Sequence, residues 1–196
     1  MDKNNVENIG DEHHENEDYV PPPQKTIEEL VAADQDDESL RRYKETLLGM
    51  AHQDKIVFDA SNPKSVIVKK LSLLVDSRPE MELDLSDVDS LKKQVITIKE
   101  GIQYKVKIDF IVQREIVHGL KYVQKTSRIG VPVDKMVHML GSYPPKNEIQ
   151  SYTTPPEEAP SGLIARGKYS ITSLFTDDDK NEHLKWEWNF EIKKDW

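Results

Sequence analysis

The sequence predicts an all-β domain, a sandwich or barrel, behind a polar N-terminal arm. Three observations predict it. In the stretch HLKWEWNFEIKKDW, Trp186, Trp188, Phe190 and Ile192 alternate with Lys185, Glu187, Asn189, Glu191 and Lys193. That period of two marks a strand with one buried and one wet face. Around eight such short stretches follow one another with turns between them. No 10–15-residue helical pattern separates them, which argues against alternating β and α units.

The arm comes first. Residues 1–24 have almost no apolar content and end in Pro21-Pro22-Pro23, so disorder with an extended proline stretch is expected. Thr26 and Glu29 form a capping box ahead of Ile27, Leu30 and Val31. Leu40, Tyr43 and Leu47 then repeat at helical spacing, and Gly49 offers a stop. A helical hairpin over about residues 26–49 is predicted. Its helices are too short to stand alone in water, so their apolar stripes need a receiving surface.

The β region begins near Val66. VIVKKLSLLV is the first strand, and MELDL (Met81–Leu85) reads as an edge. KKQVITIKEG leads to a turn at Glu100-Gly101. From Ile102 to Val112, Tyr104, Val106, Ile108, Phe110 and Val112 point inward, and Lys105, Lys107 and Asp109 outward. Leu120–Arg128, Lys135–Tyr143, Ala165–Thr176 and the tryptophan strand complete the set. The expected division is an arm over 1–60 and a sandwich over 61–196.

Composition narrows function. There is no cysteine, which excludes disulfides and thiolate chemistry and suits a reducing cytosol. The polar, acidic start predicts no signal peptide, and no apolar run reaches the roughly 18 residues of a membrane span. Residues 1–45 hold 14 Asp/Glu and 5 Lys/Arg, whereas residues 46–196 hold 22 of each. The net charge of −9 therefore sits in the N-terminal quarter of the chain. A basic partner suits it, and nucleic acid does not.

Catalytic and metal-binding motifs are absent: no glycine-rich phosphate loop, no HExxH and no nucleophile elbow. His118, His138 and His183 share no ligand spacing and read as surface or edge residues. Asp177-Asp178-Asp179 lacks calcium-loop spacing and reads as an acidic turn. Arg114 and Glu115 suit a cross-strand pair. Two readings of Trp186 and Trp188 stand at this point: they fill a core, or they line a cavity.

Several stretches carry a resemblance. DDESLRRYKETLLG (36–49), IKEGIQYKVKIDF (98–110), REIVHGLKYVQKT (114–126), PPEEAPSGLIARGKYSI (155–171) and FTDDDKNEHLKWEWNF (175–190) closely resemble the Rho GDP-dissociation inhibitors, in order along the chain. The resemblance implies an immunoglobulin-like sandwich behind a flexible arm that forms a helix–turn–helix on binding. It implies a regulator, not an enzyme, with no cofactor or metal. The implied partners are prenylated Rho, Rac and Cdc42-type small GTPases, preferentially GDP-bound, held in the cytoplasm with their geranylgeranyl group inside the sandwich. Stable membrane insertion is not implied.

By the same resemblance, Asp37, Ser39 and Tyr43 meet the GTPase switch regions. Leu73, Ile96, Tyr104, Ile116, Leu163, Ile171, Trp186 and Trp188 bound the lipid slot, with Leu47 and Leu48 at its mouth. Asp134, Glu157, Glu158, Asp177, Asp178 and Asp179 attract the polybasic segment beside the prenyl group. Ile96 stands where relatives often carry an aromatic. The runner-up reading is a general prenyl-binding solubilising factor that carries lipidated cargo without gripping switch regions.

Overall fold

The two consecutive lysines of VIVKKLSLLV mark where the first strand changes phase. Val66 and Val68 are buried before them, and Leu71, Leu73 and Val75 after them. A β-bulge between Val68 and Lys70 absorbs the extra residue, so that both halves face the same core. The computed structural model describes Glu38, Ser39, Arg42, residues 56–76 and residues 78–196. The predicted helical hairpin lies outside the described residues except for those first three, which are helical. Glu38 and Arg42 pair at 2.6 Å, one turn apart.

Among the described residues, ten strands form two five-stranded sheets. The first sheet has the order β2 (Met81–Asp84), β1 (Val66–Val75), β4 (Gln103–Val112) and β7 (Gln150–Thr153), with the short β8 (Glu157–Glu158) pairing the start of β4. The second has the order β3 (Val95–Lys99), β10 (Glu182–Lys193), β9 (Gly167–Thr176), β5 (Val117–Arg128) and β6 (Val131–Tyr143). A single-turn helix, α1 (Val88–Leu91), carries the chain between the sheets. The Asp87 carboxylate accepts from the Ser90 N–H at its start, and Leu91 is buried. As MELDL predicts, β2 is an edge. The pattern gave no sign of β7, β8 or α1, which are too short to show a period.

The inner faces meet in one core. Leu71, Leu73, Val106, Ile108 and Phe110 come from the first sheet, and Tyr122, Ile171, Phe175, Trp186, Trp188 and Ile192 from the second. Each fully buried aliphatic side chain contributes about 1.5–3 kcal/mol. Phe110 meets Phe175 at 5.3 Å and Tyr143 at 5.0 Å between ring centroids, joining the sheets. Asp109 points outward as alternation predicts, yet it is covered. Ser151 donates to it at 2.6 Å, and Lys70 and Lys107 each lie 3.8 Å away.

The chain is fastened to the sandwich from Ile56. The Arg114 N–H donates to the Ile56 carbonyl at 2.7 Å. Buried Gln113 donates to the carbonyls of Asn62 and Lys64 and accepts from the Asp59 N–H. Arg114 and Glu115 do not pair with each other: Arg114 holds the Ala60 and Asn62 carbonyls, and Glu115 accepts from Ser65.

Candidate functional site

β10 and β9 together set the inner wall of the second sheet. Their register places Trp186 opposite Ser173 and Trp188 opposite Ile171. Both tryptophans are buried. The Trp188 indole N–H donates to the Ser173 hydroxyl at 3.0 Å. That hydroxyl also meets Tyr122 at 3.0 Å, and Tyr122 donates to Gln124 at 2.8 Å. A polar belt thus crosses an apolar interior, and burial pushes the Tyr122 hydroxyl well above its ordinary pKa. Trp186 stacks on Tyr122 with centroids 6.0 Å apart, and its own N–H is buried without a hydrogen-bond partner.

The first sheet faces this wall with Leu73 and Tyr104. Leu73 is fully buried. Tyr104, half-buried, donates to Glu157 at 3.0 Å. Burial first, and the Glu157 charge second, raise its pKa strongly. The other Glu157 oxygen lies 3.4 Å from His138 Nε2, and neither of those two atoms has a hydrogen-bond partner.

The expected slot residues divide. Leu73, Ile171, Trp186 and Trp188 lie in the core, and Ile96 and Tyr104 pack against it. Ile116 is half-buried in the β4–β5 connection. Leu163 lies apart from the core and is 80% exposed. It follows Gly162, whose φ of 96° turns the loop outward, and the Ala165 N–H closes that turn on the Gly162 carbonyl. Asp37, Tyr43, Leu47 and Leu48 lie outside the described residues, and Ser39 is exposed on its helical segment.

The acidic positions also divide. Asp134 and Glu158 are exposed, and Glu157 is turned toward Tyr104 and His138. Asp178 is exposed and pairs with Lys121 at 2.7 Å. Asp177 does not share the exposed acidic surface. It is only 4% exposed, accepts from the Asn181 N–H and side chain, and lies 2.8 Å from His183 Nε2. Burial alone would raise the Asp177 carboxyl, but the bonds from His183 and Asn181 outweigh it and hold it below the ordinary carboxylate value. With Asp177 goes a correction: His183, expected as a surface or edge residue, is buried as its partner on an inner strand. The pair closes the β9–β10 turn, and Lys64 donates to the His183 carbonyl at 2.5 Å.

Gln113, Ser173 and Gln124 escaped the sequence reading. A glutamine ending the apolar run FIV was the one available sign. No group of three or more metal-binding side chains occurs among the described residues, and none of their helices is long and apolar enough to cross a membrane.

Comparison with known proteins agrees with the resemblance. A family model described as "RHO protein GDP dissociation inhibitor" matches residues 4–195. Rho GDP-dissociation inhibitor 1 of Homo sapiens is 53% identical over 194 residues, covering 97% of this chain and 92% of its own. The probable rho GDP-dissociation inhibitor of Caenorhabditis elegans is 46% identical, covering 96% of this chain and 98% of its own. Rho GDP-dissociation inhibitor 3 of Homo sapiens is 46% identical over 91% of this chain and 78% of its own. The match along nearly the whole sequence, on a two-sheet scaffold with an aromatic inner wall, shows that this chain belongs to the Rho GDP-dissociation inhibitor family, a family of regulatory inhibitors and not of enzymes.

Proposed function

We propose that this protein binds prenylated Rho, Rac and Cdc42-type small GTPases in their GDP-bound state, takes the geranylgeranyl group between its sheets, moves the GTPase from membrane to cytoplasm and slows GDP release. The observation that carries the lipid part is the apolar, aromatic inner wall of Trp186, Trp188 and Ile171 facing Leu73 and Tyr104.

Energetics explain why a slot alone is not enough. A chain of about 20 carbons gains roughly 0.8 kcal/mol per CH₂ on burial, but a bilayer offers the same gain. A polybasic segment adds about 1 kcal/mol per Lys or Arg in favour of an anionic membrane. The acidic positions Asp134, Glu157, Glu158, Asp178 and Asp179 offset that attraction. Asp177 is committed to His183 and takes no part. The arm, through Asp37, Ser39 and Tyr43, supplies contacts to the switch regions, and ordering it on binding keeps release adjustable.

The test compares prenylated and unprenylated Rac-type GTPase for binding and for GDP release. Strong preference for the prenylated form is expected, and Ile171→Trp, which fills the slot, should remove it. Equal affinity for both forms would sink the lipid slot. Removing residues 1–55 should abolish the slowing of GDP release; unchanged slowing would favour a carrier that ignores the switch regions.

A further inference from the structure

At one end of the sandwich, two loops are apolar where solvent favours polar residues. The β5–β6 hairpin turns on Ile129-Gly130, with φ of 51° and 75°. This geometry favours Asn, Asp or Gly, and a β-branched residue there is a true outlier. Ile129 gets no packing in return, because it is 93% exposed. Val131 and Val133 beside it are 61% and 53% exposed. The loop before β9 adds Leu163 at 80% and Ile164 at 88%.

The two loops are braced as one surface. Arg128 donates to the carbonyls of Ile164 and Arg166, and its guanidinium lies 5.3 Å over the Tyr169 ring. Glu100 accepts from the Gly162 N–H at 2.9 Å and from Arg166 at 2.9 and 2.7 Å, which ties the second loop to the β3–β4 turn. Apolar side chains are thus held outward, not left to collapse on the surface.

Charge selects the occupant. Segments 128–133 and 160–168 carry Arg128, Arg166 and Lys168 and no acidic residue. Glu100 offsets one of these cations; the neighbouring Asp134 is followed by Lys135, and Glu191 opposite Lys168 pairs with Lys193 at 3.4 Å, which leaves an excess of two in a chain whose net charge is −9. Apolar side chains ringed by cations fit an interface of hydrocarbon beneath anionic headgroups.

We propose that this tip docks reversibly on an anionic lipid bilayer, with Ile129, Leu163 and Ile164 entering between the headgroups and exposed Lys168 facing phosphates. Strain at Ile129 that is useless in water becomes useful at the membrane, where a projecting aliphatic group gains burial. The loop carrying Leu163 leads into β9, whose Tyr169 and Ile171 are buried, so docking brings the rim of the sandwich interior to headgroup level. Its service to extraction rests on the proposed lipid slot; the docking itself does not.

The full chain, without any GTPase, is sedimented with phosphatidylcholine vesicles and with vesicles also containing phosphatidylserine. Binding is expected to the anionic vesicles and to weaken with salt. Ile129→Asn suits the left-handed turn and preserves folding; it and the double variant Leu163→Ser/Ile164→Ser should each bind roughly tenfold less tightly or worse. Val137→Ser, at an exposed apolar position elsewhere on β6, should bind like the parent. Failure of the parent to bind, or tip variants that bind unchanged, would overturn the proposal. Concentration-dependent dimerisation of the parent that Ile129→Asn removes would overturn it in favour of a self-contact. Capture of detergent-solubilised prenylated GTPase, measured alongside, reports the slot independently.

Discussion

Replacing Asp177 should cost stability and not affinity. Its carboxylate receives three hydrogen bonds, from the Asn181 N–H at 2.9 Å, the Asn181 side chain at 3.0 Å and His183 Nε2 at 2.8 Å. Asp177→Ala leaves His183 buried without its partner, a loss of about 3–5 kcal/mol. Asp177→Asn keeps the shape and one acceptor and should cost about 2–3 kcal/mol. For a chain of this size each kcal/mol moves the melting temperature by roughly 2–4 °C, so Asp177→Asn should melt roughly 4–12 °C lower. The sign with pH follows from the depressed carboxyl. Its contribution is present above the ordinary carboxylate value and is lost as pH falls through the lower folded value. Melting curves from neutral to acid pH should therefore show a shallower acid loss in Asp177→Asn than in the parent. GTPase affinity, measured well below the transition, should be unchanged. An unchanged melting temperature with weakened binding would refute the assignment of Asp177 to the turn and return it to the acidic surface.

Other outcomes follow from the same geometry. Ser173→Ala strips Trp188 of its acceptor and Tyr122 of a neighbour; urea unfolding should show a loss of about 1–3 kcal/mol. Gln113→Ala should cost about 2–4 kcal/mol, and hydrogen exchange should rise selectively over residues 59–65, the segment that Gln113 holds. Ile129→Asn should raise the melting temperature by a few degrees, because it relieves about 1–2 kcal/mol of left-handed strain. Limited proteolysis of Arg166→Met should cut faster within 160–166, where Glu100 then grips only the Gly162 N–H.

The fold was legible wherever long strands alternate over a shared core. In β10, four inward side chains in a row left little room for another reading. The Lys69-Lys70 pair was equally visible, but its meaning as a bulge needed the partner strand. The site was harder to read. Asp177, Asp178 and Asp179 are chemically alike, and only the turn that follows β9 decides which of them faces His183. Leu163 is placed at the slot by family resemblance, and its loop side chain projects outward. Whether a loop turns in or out depends on backbone angles such as that of Gly162, which hydrophobicity does not encode. Polar residues on inner faces, such as Ser173 and Gln124, break the pattern that identifies a strand, so their shared belt was invisible.

The parallel pairing of β3 with β10 has a consequence for biosynthesis. Val95 takes its place beside Asn189, 94 residues further along the chain, and among the described residues β3 has no other neighbour in its sheet. At about 5–20 residues per second a ribosome needs roughly 5–20 s to deliver that partner. Until then one flank of the sandwich is an unpaired ribbon, and neither tryptophan exists to finish the inner wall. The nascent chain is therefore exposed to aggregation late in its synthesis, and this interval is where a chaperone would have the most to protect.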